Sequence, residues 1–121
     1  MVSKQQIKFI NSLKHNKYRL KYNCFVAEGN HVVNEFIKSN WKVKLILSTQ
    51  DWQAKSGIDT LVVEKDILNK ISFLKTASSV LAVFYKQNVT PSLDELVVTK
   101  HLLLLDSISD PGNMGSIIRT A

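Results

Sequence analysis

The chain has 121 residues, a formal net charge of +6, one cysteine and 45% hydrophobic residues. That length suits one domain with a buried core plus the start of a second, and a single cysteine excludes an internal disulfide framework and fits a reducing compartment. No apolar stretch approaches the ~20 residues of a membrane span and no uninterrupted apolar leader opens the chain, so a soluble cytoplasmic protein is expected.

The charge is unevenly spread. Residues 1–44 hold nine Lys or Arg against two acids, whereas residues 45–121 hold seven against eight. An N-terminal excess of cations attracts a polyanion, most simply RNA, although basic faces also occur without function.

Ser3 followed by Gln6 forms a capping-box pattern, and Ile7, Ile10 and Leu13 recur at helical spacing, which predicts a helix from Lys4 to about Lys14. From Lys14 to Tyr22 basic residues interleave with Tyr18 and Tyr22. Here Lys14, Lys17, Arg19 and Lys21 are the candidate phosphate contacts and a tyrosine can stack on an unpaired base; a solvated surface loop has the same composition.

Cys24 to Glu28 reads as a buried strand, and Gly29-Asn30 as the turn into a helix carrying Val32, Val33, Phe36 and Ile37 on one face, stopped by Ser39-Asn40. Glu28, an acid ahead of a helix start, suits free backbone amides better than catalysis. His15, His31 and His101 have no Cys or His partner at ligand spacing, so no metal site is expected. Val43 to Leu47 and Thr60 to Val63 read as strands, with Asp51 to Lys55 as a helical turn between them. Glu64 to Ser72 reads as a helix with Ile67, Leu68 and Ile71 inward, and Val80 to Tyr85 as an apolar strand. Such alternation predicts a three-layer α/β/α domain with a largely parallel sheet. Residues 86–99 carry Pro91 and mark a linker, in which Ser92 and Glu95 can cap a short helix at Leu93 to Leu96.

The last stretch is the most chemically suggestive. Leu102 to Leu105 suits a strand buried on both faces. Pro111 and Gly112 fit a type II turn, after which Asn113 can cap a helix from Met114. That helix would turn Met114, Ile117, Ile118 and Ala121 one way and Gly115, Ser116, Arg119 and Thr120 the other. Gly115 then leaves room for a ligand beside the Arg119 guanidinium. A plain strand, turn and helix has the same spacing. A phosphate-binding loop on Gly112 and Gly115 is disfavoured, because no lysine follows the second glycine.

The run LLLLDSISDPGNMGSIIRTA, 102–121, resembles the first signature motif of the SpoU (TrmH-type) RNA ribose methyltransferases, which are trefoil-knotted and use S-adenosylmethionine. The matching positions are Asp110, Pro111, Asn113, Gly115, Ile117, Arg119, Thr120 and Ala121. The start of the chain is similar to the substrate-binding domain that precedes the SpoU catalytic domain, at Ile7, Lys8, Leu13, Arg19, Phe25, Glu28, Gly29, Val33 and Glu35.

The resemblance implies an RNA substrate-binding domain over 1–86 with the fold of kink-turn-binding ribosomal proteins, a linker over 87–99, and the first strand and helix start of a truncated knotted domain over 100–121. It implies methyl transfer from S-adenosylmethionine to a ribose 2′-oxygen of rRNA or tRNA, with Asn113 and Arg119 as the catalytic residues. It further implies a homodimer for the whole enzyme, built through the knot, and for this fragment no cofactor site and no activity, with a monomer open to it. A non-catalytic RNA-binding module of the kink-turn type is the competing class. One departure stands out: Ala77-Ser78-Ser79 replaces the family's usual Pro-Gln-Gly.

Overall fold

A computed structural model describes residues 1–52, 57–88, 90–98 and 101–121. The chain divides into two compact units, Met1–Asn88 and Val89–Ala121. The first begins with α1 (Lys4–Ser12) and α2 (Asn16–Tyr22). It continues through β1 (Cys24–Glu28), α3 (Asn30–Lys38), β2 (Val43–Ser48), β3 (Leu61–Val62), α4 (Lys65–Ile71) and β4 (Val80–Tyr85). The second holds α5 (Leu93–Val97) and α6 (Pro111–Thr120).

The four strands lie in the order β1-β4-β2-β3. β4 pairs antiparallel with both β1 and β2, and only β2 and β3 pair in parallel. The expected largely parallel sheet is therefore corrected to a mixed one. The alternation of helices and strands was a sound guide to direction, since β1, β2 and β3 all run the same way. β4 begins beside the ends of β1 and β2, with Leu81 opposite Glu28 and Val80 opposite Ser48, and runs back between them. One reversed strand in a central slot turns two of the ladders antiparallel.

β4 is buried from Val80 to Phe84 because both faces of the sheet are covered. Its side chains alternate with the period of two that a strand imposes. Leu81 and Val83 join Cys24 and Leu47 against Ile10 of α1, Leu13 at its C-terminal cap, and Leu68 and Ile71 of α4. Val80, Ala82 and Phe84 join Ala27 and Ile46 against Val33 of α3 and Trp52. These two apolar layers make the α/β/α sandwich that the sequence predicts.

The local signals behave unequally. Ser3 and Gln6 form the reciprocal capping box of α1, and Ser92 and Glu95 form that of α5. Gly29 adopts φ 100°, which an L side chain resists, at the start of α3. Residues 14–22, whose composition also fits a solvated loop, contain a helix, α2, stopped by Asn23 in the left-handed conformation. The helical turn expected from Asp51 to Lys55 falls largely on residues outside those described, as do parts of the 87–99 linker.

In the second unit, Leu102 to Leu105 forms no strand and is exposed, Leu104 at 87%. Among the described residues of that unit there is no other strand to pair with it, and an apolar run without a ladder partner has no reason to become one. The helix start also moves. α6 begins at Pro111, with Asp110 as its N-cap accepting a hydrogen bond from the Asn113 amide, so Asn113 is not the cap and no type II turn precedes it. Proline's fixed φ suits the first helical position, where its missing N–H costs nothing, and that preference prevails over the turn.

Candidate nucleic-acid interface and catalytic motif

Lys17 and Lys21 are four apart on α2, as are Tyr18 and Tyr22, so each pair shares a helix face. The two tyrosine rings are nearly parallel, 14° apart in plane with centroids separated by 6.3 Å. Lys17 lies 5.7 Å from the Tyr18 ring and Lys21 5.4 Å from the Tyr22 ring. Tyr22 meets Phe9 of α1 edge-on at 5.1 Å. The helix is brief, and it is held in place by Arg19, whose guanidinium donates at 2.8 Å to the carbonyls of both Leu13 and Lys14. Arg19 thus satisfies carbonyls that the end of α1 leaves open. Lys14 is directed elsewhere, over the Phe73 ring at 5.2 Å.

The sequence-based reading missed a second contribution to this face. Lys44 of β2 lies 5.5 Å from the Phe9 ring and 5.1 Å from the Tyr85 ring, and its ammonium donates to the Tyr85 hydroxyl at 3.1 Å. Lys42 lies 5.2 Å from Tyr85. The signal available was the spacing of two in Lys42-Val43-Lys44; what the sequence withholds is that Tyr85 of β4 lies alongside.

At the other end of the strands, Glu28 accepts hydrogen bonds from the Ser72 hydroxyl at 2.6 Å and the Phe73 amide at 2.7 Å. It ties the turn after α4 and does so with a free backbone amide, though not one of α3. The Ala77-Ser78-Ser79 loop is held by Lys65, which donates to the carbonyls of Ala77 and Ser78, and by the Thr49 amide, which donates to Ser79 O at 2.9 Å. Backbone hydrogen bonds and a lysine clamp thus order a loop that has neither proline nor glycine. Among the described residues no group of three His, Cys, Asp or Glu is placed to hold a metal ion.

Burial pushes the Cys24 thiol above its ordinary range, with the positive charge of Lys44 acting weakly the other way.

In the second unit Asn113 and Arg119 both lie on α6. Six residues of helix separate them by about 9 Å along the axis and roughly 120° around it, and among the described residues no hydrogen bond joins them. Arg119 is exposed, and a Cβ built on Gly115 one turn earlier meets nothing within 4 Å. Gly112 is tighter, since a Cβ there comes within 3.1 Å of the Asp110 carboxylate that caps the helix. A shallow hollow nearby is lined by Leu103, Ser116, Ile117, Thr120 and Ala121, and the Thr120 hydroxyl already donates to Ser116 O. The hollow is open, and its side-chain polar groups are the Ser116 and Thr120 hydroxyls.

The first unit, a mixed sheet between helices, and the second, which carries the Asp-Pro-Gly-Asn helix start, belong to a chain of the SpoU (TrmH-type) class. Within that class residues 4–82 match the MRM3-like substrate binding domain, and the chain belongs to that family. It is 32% identical over 121 residues to the 23S rRNA (guanosine(2553)-2′-O)-methyltransferase RlmP of Bacillus subtilis (strain 168), covering 97% of this chain and 47% of that protein. Among solved structures it is similar to a chain assigned to the TrmH family from Porphyromonas gingivalis, with 27% identity and a TM-score of 0.70 over 99% of this chain and 48% of that one. It also shares the fold of the SpoU methyltransferase AviRb from Streptomyces viridochromogenes, solved with AdoMet, at 21% identity and a TM-score of 0.72, covering 98% and 49%. The chain thus spans about half the length of the relatives it matches.

Proposed function

We propose that the whole protein is an S-adenosylmethionine-dependent RNA 2′-O-ribose methyltransferase whose substrate is ribosomal RNA, with transfer RNA the second candidate. In this reading residues 1–86 hold the RNA, 87–99 link, and 100–121 open the catalytic domain; the enzyme is a cytoplasmic homodimer. The observation that carries it is the family match over residues 4–82 in one chain with the Asp110–Ala121 motif. The rRNA preference follows the 23S rRNA relative.

Lys17 and Lys21 contact RNA phosphates, Lys14 offers a further cation over Phe73, and Arg19 serves the α2 surface by securing that helix to the end of α1. Arg119 is the catalytic cation. A guanidinium hardly ever loses its proton in a protein, so Arg119 steadies the negative charge that develops on the ribose oxygen and the neighbouring phosphate, while the proton leaves to phosphate or water. Asn113 hydrogen-bonds the ribose rather than aligning Arg119, given the angle between them on α6. These 121 residues alone bind no cofactor and transfer no methyl group, and calorimetry with S-adenosylmethionine is expected to show no heat of binding. The decisive experiment maps 2′-O-methylation across cellular RNA after deletion of the full gene: one rRNA ribose is expected to lose its methyl group, and an unchanged map refutes the reading.

A further inference from the structure

The rings and lysines of the first unit form one strip. It runs from Tyr18 to Tyr22, to Phe9, across Lys44 to Tyr85 and on to Lys42, each step between 5.1 and 6.3 Å. Two hollows of about 410 and 380 Å³ lie along it and share Gln5 and Phe9 as walls. Their other lining residues include Lys8, Tyr18 and Tyr22 in one and Lys44 in the other. The segments that build the strip, 1–27, 36–50 and 80–88, contain no Asp or Glu. Lys17, Lys21, Lys42 and Lys44 are all exposed.

We propose that this strip binds an unpaired stretch of RNA, with bases stacked on Tyr18, Tyr22 and the Phe9–Tyr85 side and phosphates on Lys17, Lys21, Lys42 and Lys44. The inference rests on the reading of this domain as the RNA-holding part of the enzyme and adds to it both the kind of RNA and the four residues Phe9, Lys42, Lys44 and Tyr85. A duplex hides the faces of its bases and offers mainly phosphates and 2′-hydroxyls, for which lysines suffice. Rings that alternate with lysines add affinity only where bases are splayed out to lie on them. An acidic protein partner would use the same lysines and be indifferent to the rings.

The test uses the 121-residue chain and two fluorescein-labelled RNAs of about twelve nucleotides, one unstructured and one paired, titrated by anisotropy at several salt concentrations. The single strand is expected to bind more tightly than the duplex. Replacing both tyrosines, Tyr18→Leu with Tyr22→Leu, is expected to weaken single-strand binding tenfold or more without changing its salt slope, whereas Tyr18→Phe with Tyr22→Phe stays within about twofold. Lys42→Gln with Lys44→Gln is expected to reduce the slope of log affinity against log salt by about 1.4. These exposed lysines keep the test open should the leucine variant fail to fold. Equal affinity for both RNAs, or a leucine pair that binds like wild type, overturns the stacking inference and leaves the RNA-holding reading intact. No binding of either RNA at low salt overturns both.

Discussion

Phe84 is fully buried where three other rings converge, 5.9 Å from Phe25 and 5.1 Å from Phe36, both of which also pack on Trp41. Phe84→Ala removes the largest fully buried side chain from a site packed by Phe25 and Phe36, so the expected loss is ~3–5 kcal/mol, checked by urea unfolding. On a total of ~5–15 kcal/mol that is enough to leave the first unit marginal. Cys24 gives a chemical readout of the opposite layer. Its buried thiol is held above its ordinary pKa, so the folded protein should resist iodoacetamide at mildly alkaline pH and react once unfolded. The sign for stability follows. A raised thiol favours the folded state fully below the unfolded pKa, and that contribution fades as pH climbs toward the folded value, so unfolding should become easier on the alkaline side. Cys24 was legible as a core residue because it opens an apolar run. Glu28 was legible only as an acid in need of amides; that these belong to Ser72 and Phe73 is a long-range fact no local pattern carries.

Elements were readable where apolar periodicity was clear, as in α1, α3, α4 and the four strands, with a capping box adding to the signal in α1. α2 was the exception, because its rows of Lys17 with Lys21 and Tyr18 with Tyr22 give no apolar stripe by which a core-facing helix is recognised. Its stability comes instead from Arg19 bridging to Leu13 and Lys14 and from the left-handed Asn23 that ends it. Arg19→Ala should therefore cost about 0.5–1.5 kcal/mol through the lost hydrogen bonds to partly solvated carbonyls, and Lys17→Gln, on the exposed face, should cost less. Thermal melts of the two variants decide this. A neutral Arg19→Ala would return Arg19 to the pool of phosphate contacts and leave α2 without its anchor. The start of α6 was misjudged by three residues because Asp110, Pro111 and Asn113 are each good turn and cap formers. Proline at the first helical position with Asp110 capping resolves the competition, and only the backbone reveals which candidate won.

At the scale of the molecule, the sandwich was legible from the alternation of helices and strands, while strand order was not, because a strand inserted between two earlier ones leaves no mark in the sequence. The same limit applies to the proposed catalytic role of the Asp110–Ala121 motif, which local pattern alone does not decide. The motif can still be tested in the complete enzyme. If Arg119 acts as a fixed cation, Arg119→Ala should lower kcat by about 10²–10³ and weaken RNA affinity far less, because the phosphate contact exists before reaction whereas the larger effect arises as charge develops on the ribose oxygen. Arg119→Lys keeps the charge but loses the planar fork, so it should recover part of the rate with a pH profile parallel to wild type. Were residue 119 a base instead, lysine would impose its own ionisation and the profile of Arg119→Lys would shift along the pH axis. A rate that survives Arg119→Ala would remove the guanidinium from the chemistry, leaving α6 a structural helix whose Asp110 cap and Gly112 clearance are explained by folding alone.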